Sequence, residues 1–242
     1  MRYLKLTLCY DGTSYHGWQI QPNLPTVQGE VERAIKEIFK EDIKVSGSSR
    51  TDAGVHAREY VVSFATECLI PCDKVPIALN TKLNDDVRAI SCEEVDISFH
   101  ARKSAKNKTY RYTINKSYDV FNRFYEWYLP IALNTSEMEK ASKHFVGTHD
   151  FAGFMSQGSS FDTTVKTINS VDFKCKGEKI IIDINGDGFL YNMVRIIVGT
   201  LVFVGMGNIK SDDIPKIIES KKRENAGMTA PPNGLSLLKV NY

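Results

Sequence analysis

The feature that most constrains folding is a hydrophobic period that switches along the chain between two and about 3.6 residues. In "RYLKLTLCY", residues 2–10, Leu4, Leu6 and Leu8 alternate with Lys5, Thr7 and Cys9. A period of two puts one row in a core and the other outward, which is a half-buried strand. In "TVQGEVERAIKEIFK" the apolar Val27, Val31, Ala34, Ile35 and Ile38 recur at helical spacing, and Thr26 is placed to cap the first turn. "IKVSG" and "EYVVSFAT" read as strands, "KVPIALNTKL" as a helix and "DVRAISCEEV" as a strand. The order over the first hundred residues is β-α-β-β-α-β.

The second half repeats the outline. "KTYRYTINK" is a strand with Tyr110, Tyr112 and Ile114 on one face. "SEMEKASKHFVG" is a helix opened by a Ser136–Glu139 capping box. "VKTINSVDFKCKGEKIIIDINGDG" is a hairpin turning at Lys176–Gly177. An apolar helix follows from about residue 191 to 204, then the helix "DDIPKIIES" after a Ser211 cap, then a last strand, "LSLLKVNY". Two such halves, residues 1–104 and 105–242, predict an α+β chain. The expected architecture is two packed ferredoxin-like domains with mixed or mainly antiparallel sheets. A central cleft is expected at their seam.

Several function classes drop out. With 42% hydrophobic and 25% charged residues, the chain has material for a core and a water-facing surface. The most apolar stretch, "FLYNMVRIIVGTLVFVGMG", is broken by Asn192, Arg195, Thr200 and several glycines, so it reads as a buried helix rather than a membrane span. "MRYLKLTLCYDG" lacks the apolar core of a signal peptide. The five cysteines form no CxxC, so reduced thiols and a cytoplasmic location are expected. His16, His56, His100, His144 and His149 show no ligand spacing, so no metal is expected. The absence of GxGxxG, Walker A and GxSxG patterns argues against a nucleotide-phosphate cradle or a serine hydrolase.

The net charge of +2 says nothing about nucleic acid. Its distribution says more. "ARKSAKNKTYR", residues 101–111, holds Arg102, Lys103, Lys106, Lys108 and Arg111 without an acid, and "KKR" at 221–223 is a second cluster. Each is either a solvated surface run or a phosphate-binding edge.

"SGSSRTDAGVHA", residues 46–57, sets Arg50 and Asp52 among small residues. One reading is a plain turn, since Asp and Gly both favour turns. The other is a carboxylate kept ionised by Arg50 or another cation, able to act as a nucleophile or to stabilise positive charge at a sugar carbon. Tyr110 and Tyr112 are core aromatics, or one of them is presented to stack on a base or relay a proton. Arg195 interrupts an apolar helix and needs an anionic partner: any acid, a phosphate, or Asp52. Tyr15, His16 and Trp18 either stack on nucleotides or anchor the packing of their loop.

Read together, "YDGTSYHGWQIQ" (10–21), "TVQGEVERAI" (26–35), "SRTDAGVHA" (49–57), "FHAR" (99–102), "YRY" (110–112), "HDF" (149–151), "GFLYNMVR" (188–195) and "APPNGLSL" (230–237) resemble, in order and nearly end to end, the blocks of the bacterial tRNA pseudouridine synthase A family. Ser49 stands where the family usually has Gly, and "REYVVSF" replaces its commoner "RGQVVHF". The resemblance implies isomerisation of uridine to pseudouridine in the anticodon stem-loop, at tRNA positions 38, 39 and 40. It implies Asp52 as the catalytic aspartate, Tyr110 as the active-site tyrosine ahead of Tyr112, and Arg195 as the basic residue paired with the aspartate. Arg50 would contact RNA or hold the turn. Arg102 and Lys108, in the first basic run, would grip the tRNA backbone. It implies a homodimer, with no metal, organic cofactor or membrane. Two rival readings are a non-catalytic RNA-binding or RNA-folding module of the same fold, and a hydrolase that cleaves a nucleoside bond with Asp52.

Overall fold

The computed structural model describes residues 1–158 and 162–242. The chain divides into two compact units, Met1–Lys106 with Ser236–Tyr242, and Asn107–Leu235.

The first unit contains β1 (Arg2–Tyr10), α1 (Val27–Phe39), β2 (Ser46–Gly47), β3 (His56–Thr66), α2 (Val75–Leu79) and β4 (Val87–Val95). The strand order β4-β1-β3-β2, antiparallel at each step, is that of the expected ferredoxin-like arrangement. The alternating row of β1 is buried as its period requires: Leu4, Leu6 and Leu8 lie opposite Phe64, Val62 and Tyr60 of β3, and Tyr10 continues the row. On α1 the apolar face of Val27, Val31, Ala34 and Ile35 is buried. Complete burial of a large apolar side chain contributes roughly 1.5–3 kcal/mol. Thr26 Oγ1 accepts from Gly29 N–H as expected (3.3 Å), and Lys40 ends the helix in the left-handed region.

Two elements are shorter than their patterns suggested. The strand expected over "IKVSG" is reduced to Ser46–Gly47. Glu32 of α1, itself buried, takes the Val45 N–H (3.1 Å) and the Lys44 ammonium (3.0 Å), which ties this stretch to a helix side chain rather than to a ladder. The helix α2 stops at Leu79 because the Asn80 side chain turns to pair with both backbone groups of Ala89 in β4 (2.8 and 2.9 Å).

The second unit contains β5 (Asn107–Asn115), β6 (Trp127–Tyr128), α3 (Thr135–Ser142), β7 (Gly147–Asp150), β8 (Val165–Lys176), β9 (Lys179–Gly186), α4 (Met193–Gly205) and α5 (Ile214–Ser220). Its sheet runs β5-β9-β8-β7 with antiparallel neighbours, and β6 adds in parallel to β5. Three local expectations shift. The cap of α3 is Asn134, whose Oδ1 accepts from Glu137 N–H (3.2 Å) and from the Ser136 hydroxyl, so Ser136 serves the cap instead of being it. The hairpin turns at Gly177–Glu178, because Lys176 and Lys179 are the last pair of the ladder and Gly177 supplies φ 58°. Ser211 opens a short 3-10 turn and donates to Glu137 (2.6 Å), leaving Asp213 at the head of α5. The apolar stretch forms α4 as expected, with Ile196, Ile197, Val198, Leu201 and Val202 buried.

Finally β10 (Leu235–Asn241) returns to the first unit, where Ser236 and Leu237 pair in parallel with His56 and Ala57 of β3. Among the described residues no helix is long and apolar enough to cross a membrane.

Candidate active site

The segment that carries Asp52 is braced by the loop that follows β1. The Trp18 N–H donates to Thr51 O (3.1 Å) and the Gly54 N–H to Tyr15 O (3.2 Å). The hydroxyls of Tyr10 and Thr51 share a hydrogen bond of 2.8 Å. Such backbone proximity requires glycine: a Cβ on Gly12 would stand 2.0 Å from Val55 O, and one on Gly17, at φ 86°, 2.6 Å from Thr51 O. Behind the segment, Trp18 stacks on Tyr60 of β3 with ring centroids 4.2 Å apart, and the Tyr60 hydroxyl donates to Ser49 O. The blocks "YDGTSYHGW" and "SRTDAGVHA" are thus one interlocked structure. Tyr15 and Trp18, at 6% and 3% exposure, are its packing anchors and not platforms for a nucleotide, while His16 is exposed.

Asp52 heads a tight turn closed by Val55 N–H to Asp52 O (3.1 Å), with Gly54 at φ 77°. Its side chain is partly buried. The turn reading and the presented-carboxylate reading are therefore compatible. Arg50, two residues before Asp52, is exposed. Next to the turn, buried His56 accepts at Nδ1 from Gly12 N–H (3.1 Å), with Asp11 Oδ1 also 3.1 Å away.

Tyr110 and Arg195 belong to the second unit. Tyr110 lies on β5 at 5% exposure with Phe189 edge-on, centroids 5.2 Å apart. Tyr112 is completely buried and its hydroxyl donates to Pro231 O (2.7 Å). Burial raises its phenol well above the ordinary range. Tyr112 is thus committed to the core.

Arg195 sits in the first turn of α4, entered through left-handed Asn192. Its Nε donates to Ala230 O (2.7 Å) and its Nη1 to Asn192 Oδ1 (2.6 Å), while the Ala230 N–H donates to Arg195 O (3.1 Å). The segment 226–230 can lie this close because a Cβ on Gly199 would stand only 1.8 Å from Met228 O. A fixed guanidinium is a directed donor for an anion.

The basic runs are less available than their composition suggested. Arg102, Lys103 and Lys106 are exposed. Lys108 is only 8% exposed on β5. Arg111 is held bidentately by Asp183 at 2.7 and 2.7 Å, which raises its pKa. In the second cluster, Lys221 pairs with Asp150 (2.8 Å), and Arg223 donates to Gly227 O (2.8 Å) and Thr229 Oγ1 (3.1 Å). Among the described residues of this cluster, Lys222 is the exposed cation without an ion pair. Reading acid-free runs in sequence missed acids that arrive from distant elements. It also missed the brace, although Tyr10 prolongs the Leu4–Leu6–Leu8 row by one further step. No group of three or more potential metal ligands occurs among the described residues.

Comparison with known proteins adds a family to this geometry. Residues 8–104 and 141–242 match the family described as tRNA pseudouridine synthase. Proteins named tRNA pseudouridine synthase A are similar along their whole length. The identity is 50% over 244 residues for Clostridium botulinum (strain Alaska E43 / Type E3), 49% over 244 for Acetivibrio thermocellus and 47% over 244 for Thermoanaerobacter sp. (strain X514). In each case 100% of both chains is covered.

Proposed function

Because the chain belongs to the tRNA pseudouridine synthase family, and is an isomerase that converts uridine to pseudouridine in tRNA, we propose that Asp52 is its catalytic carboxylate and that its targets are uridines 38, 39 and 40 of the anticodon stem-loop. The reaction breaks the bond between N1 of uracil and C1′ of ribose, turns the base, and joins C5 to C1′ with loss of the C5 hydrogen. A carboxylate serves this by attack on C6 of uracil or by action at the ribose. The observation that carries the proposal is the position of Asp52: a partly buried acid on a turn whose backbone is fastened on both sides by the 10–18 loop. A base taken out of its stack must come close to that acid, at a cost of a few kcal/mol.

Tyr110 and Arg195 act on the same uridine, Tyr110 by stacking on the base or relaying a proton and Arg195 by pairing with an anion. The exposed Arg102, with Lys103 and Lys106, takes the RNA backbone. Lys108 and Arg50 belong to the same substrate-binding set. The working form is a cytoplasmic homodimer, which sedimentation at micromolar concentration checks. The rival reading of a non-catalytic RNA-binding module is separated by one assay, tritium release from tRNA labelled at uracil C5. The expected outcome is release by the native chain, none by Asp52→Asn, and tRNA affinity unchanged within a few-fold. Release by Asp52→Asn at the native rate would remove the carboxylate from the mechanism. Free uracil in the products would favour a hydrolase.

A further inference from the structure

We propose that the hydroxyl pair of Tyr10 and Thr51 is a positioning device for the catalytic reaction: it fixes the backbone entering Asp52 and so aims the carboxylate, without touching RNA. The inference rests on the assignment of Asp52 as the catalytic carboxylate. Thr51 immediately precedes Asp52, and it is held by two groups, one at the end of β1 and one in the loop that follows it. Its carbonyl accepts the Trp18 N–H (3.1 Å) and its hydroxyl meets Tyr10 Oη (2.8 Å). The residues are 41 apart in the chain, so no local propensity brings them together.

Both members are buried, Tyr10 at 4% and Thr51 at 6% exposure, so water is a poor substitute for either hydroxyl. The Tyr10 ring has a separate structural role, packed 5.5 Å from Tyr60, and removal of the hydroxyl alone leaves that packing in place. On the other side of Asp52 two backbone contacts hold the turn: Val55 N–H to Asp52 O and Gly54 N–H to Tyr15 O. The Oη–Oγ1 bond is a buried side-chain contact on the residue that enters the acid, and with the Trp18 N–H it fixes the direction of that peptide plane. Approach of a reacting base tolerates little error in that direction, and a displacement of about 1 Å costs on the order of 100-fold in rate.

The test is single-turnover tritium release with saturation of tRNA, read for Tyr10→Phe, Thr51→Val, the double variant and Thr51→Ser, with Asp52→Asn alongside. The expected result is a drop in rate constant of about 10- to 100-fold for each of the first two. The tRNA concentration at half saturation stays within about threefold. The double variant is no slower than the worse single, since both remove one bond. Thr51→Ser, which keeps the hydroxyl, recovers most of the rate. Thermal unfolding of each variant separates loss of fold from loss of aim. Native rates in Tyr10→Phe and Thr51→Val with Asp52→Asn inactive would overturn the positioning role and leave the catalytic one. Multiplied losses in the double variant, or a change confined to half saturation, would also overturn it. Native turnover in Asp52→Asn would overturn both.

Discussion

At the scale of single residues, the site depends on what is missing as much as on what is present. Gly12 has no Cβ, and one placed there would overlap Val55 O at 2.0 Å. The backbone on both sides would have to shift. Gly12→Ala is expected to lower stability by roughly 1–3 kcal/mol, in the range of overpacked sites. It should also slow tritium release more than the unfolded fraction explains; denaturant titration beside the rate assay checks both. Asp52 stands out in the sequence as a candidate because an acid among Gly, Ser, Thr and Ala has few structural duties to perform. Arg195 stands out likewise as a charge inside an apolar run. The contact of Thr51 with Tyr10 was not legible, since a threonine in a turn carries no sign of the tyrosine that reaches it from β1.

At the scale of elements, helix α4 shows packing overriding propensity. Alanine in place of a mid-helix glycine normally gains about 1 kcal/mol. At Gly199 the added methyl would meet Met228 O at 1.8 Å, on the segment that also delivers Gly227 N–H to Thr200 Oγ1 (2.9 Å) and Ala230 O to Arg195. Gly199→Ala is therefore expected to destabilise, with a lower unfolding midpoint and reduced turnover, and a raised midpoint would contradict the structure. A smaller effect belongs to β7. The Lys221 ammonium first, and the Thr164 hydroxyl second, hold the Asp150 carboxyl below its ordinary value of 3.8. A depressed carboxylate contributes stability above its unfolded pKa and loses it as pH falls through the folded value. Lys221 is 58% exposed, so the contribution is at most about 1 kcal/mol. Asp150→Asn should cost that amount at neutral pH, and the difference from the native chain should close as the pH drops below about 4 in urea titrations. Periodicity revealed β1, α1 and α4 well. It failed at β2 and α2, where Glu32 and Asn80 capture backbone groups that the pattern assigned elsewhere, and such captures are invisible until the partners meet.

At the scale of the whole molecule, a net charge of +2 hides which cations are available. Binding of tRNA should weaken steeply with salt, and the slope should fall by about one for each phosphate contact removed. Arg102→Ala and Lys103→Ala are expected to flatten that slope. Lys221→Ala and Arg223→Ala should change stability and leave the slope nearly intact, because their charges are occupied by Asp150 and by the backbone of Gly227. A slope insensitive to Arg102 and Lys103 would move the RNA contact elsewhere. The order of elements was readable because each half announces its own periods, whereas the return of the last strand was not, because sequence patterns carry no address. That return sets a timetable. Ser236 pairs with His56, 180 residues earlier. On the ribosome, β3 is made early and waits beside an empty position while most of the polypeptide is still being added. The turn bearing Asp52 leads directly into that strand. Until residues near 236 have been added, β3 lacks that parallel neighbour, and the segment that leads into it rests on the antiparallel partners alone.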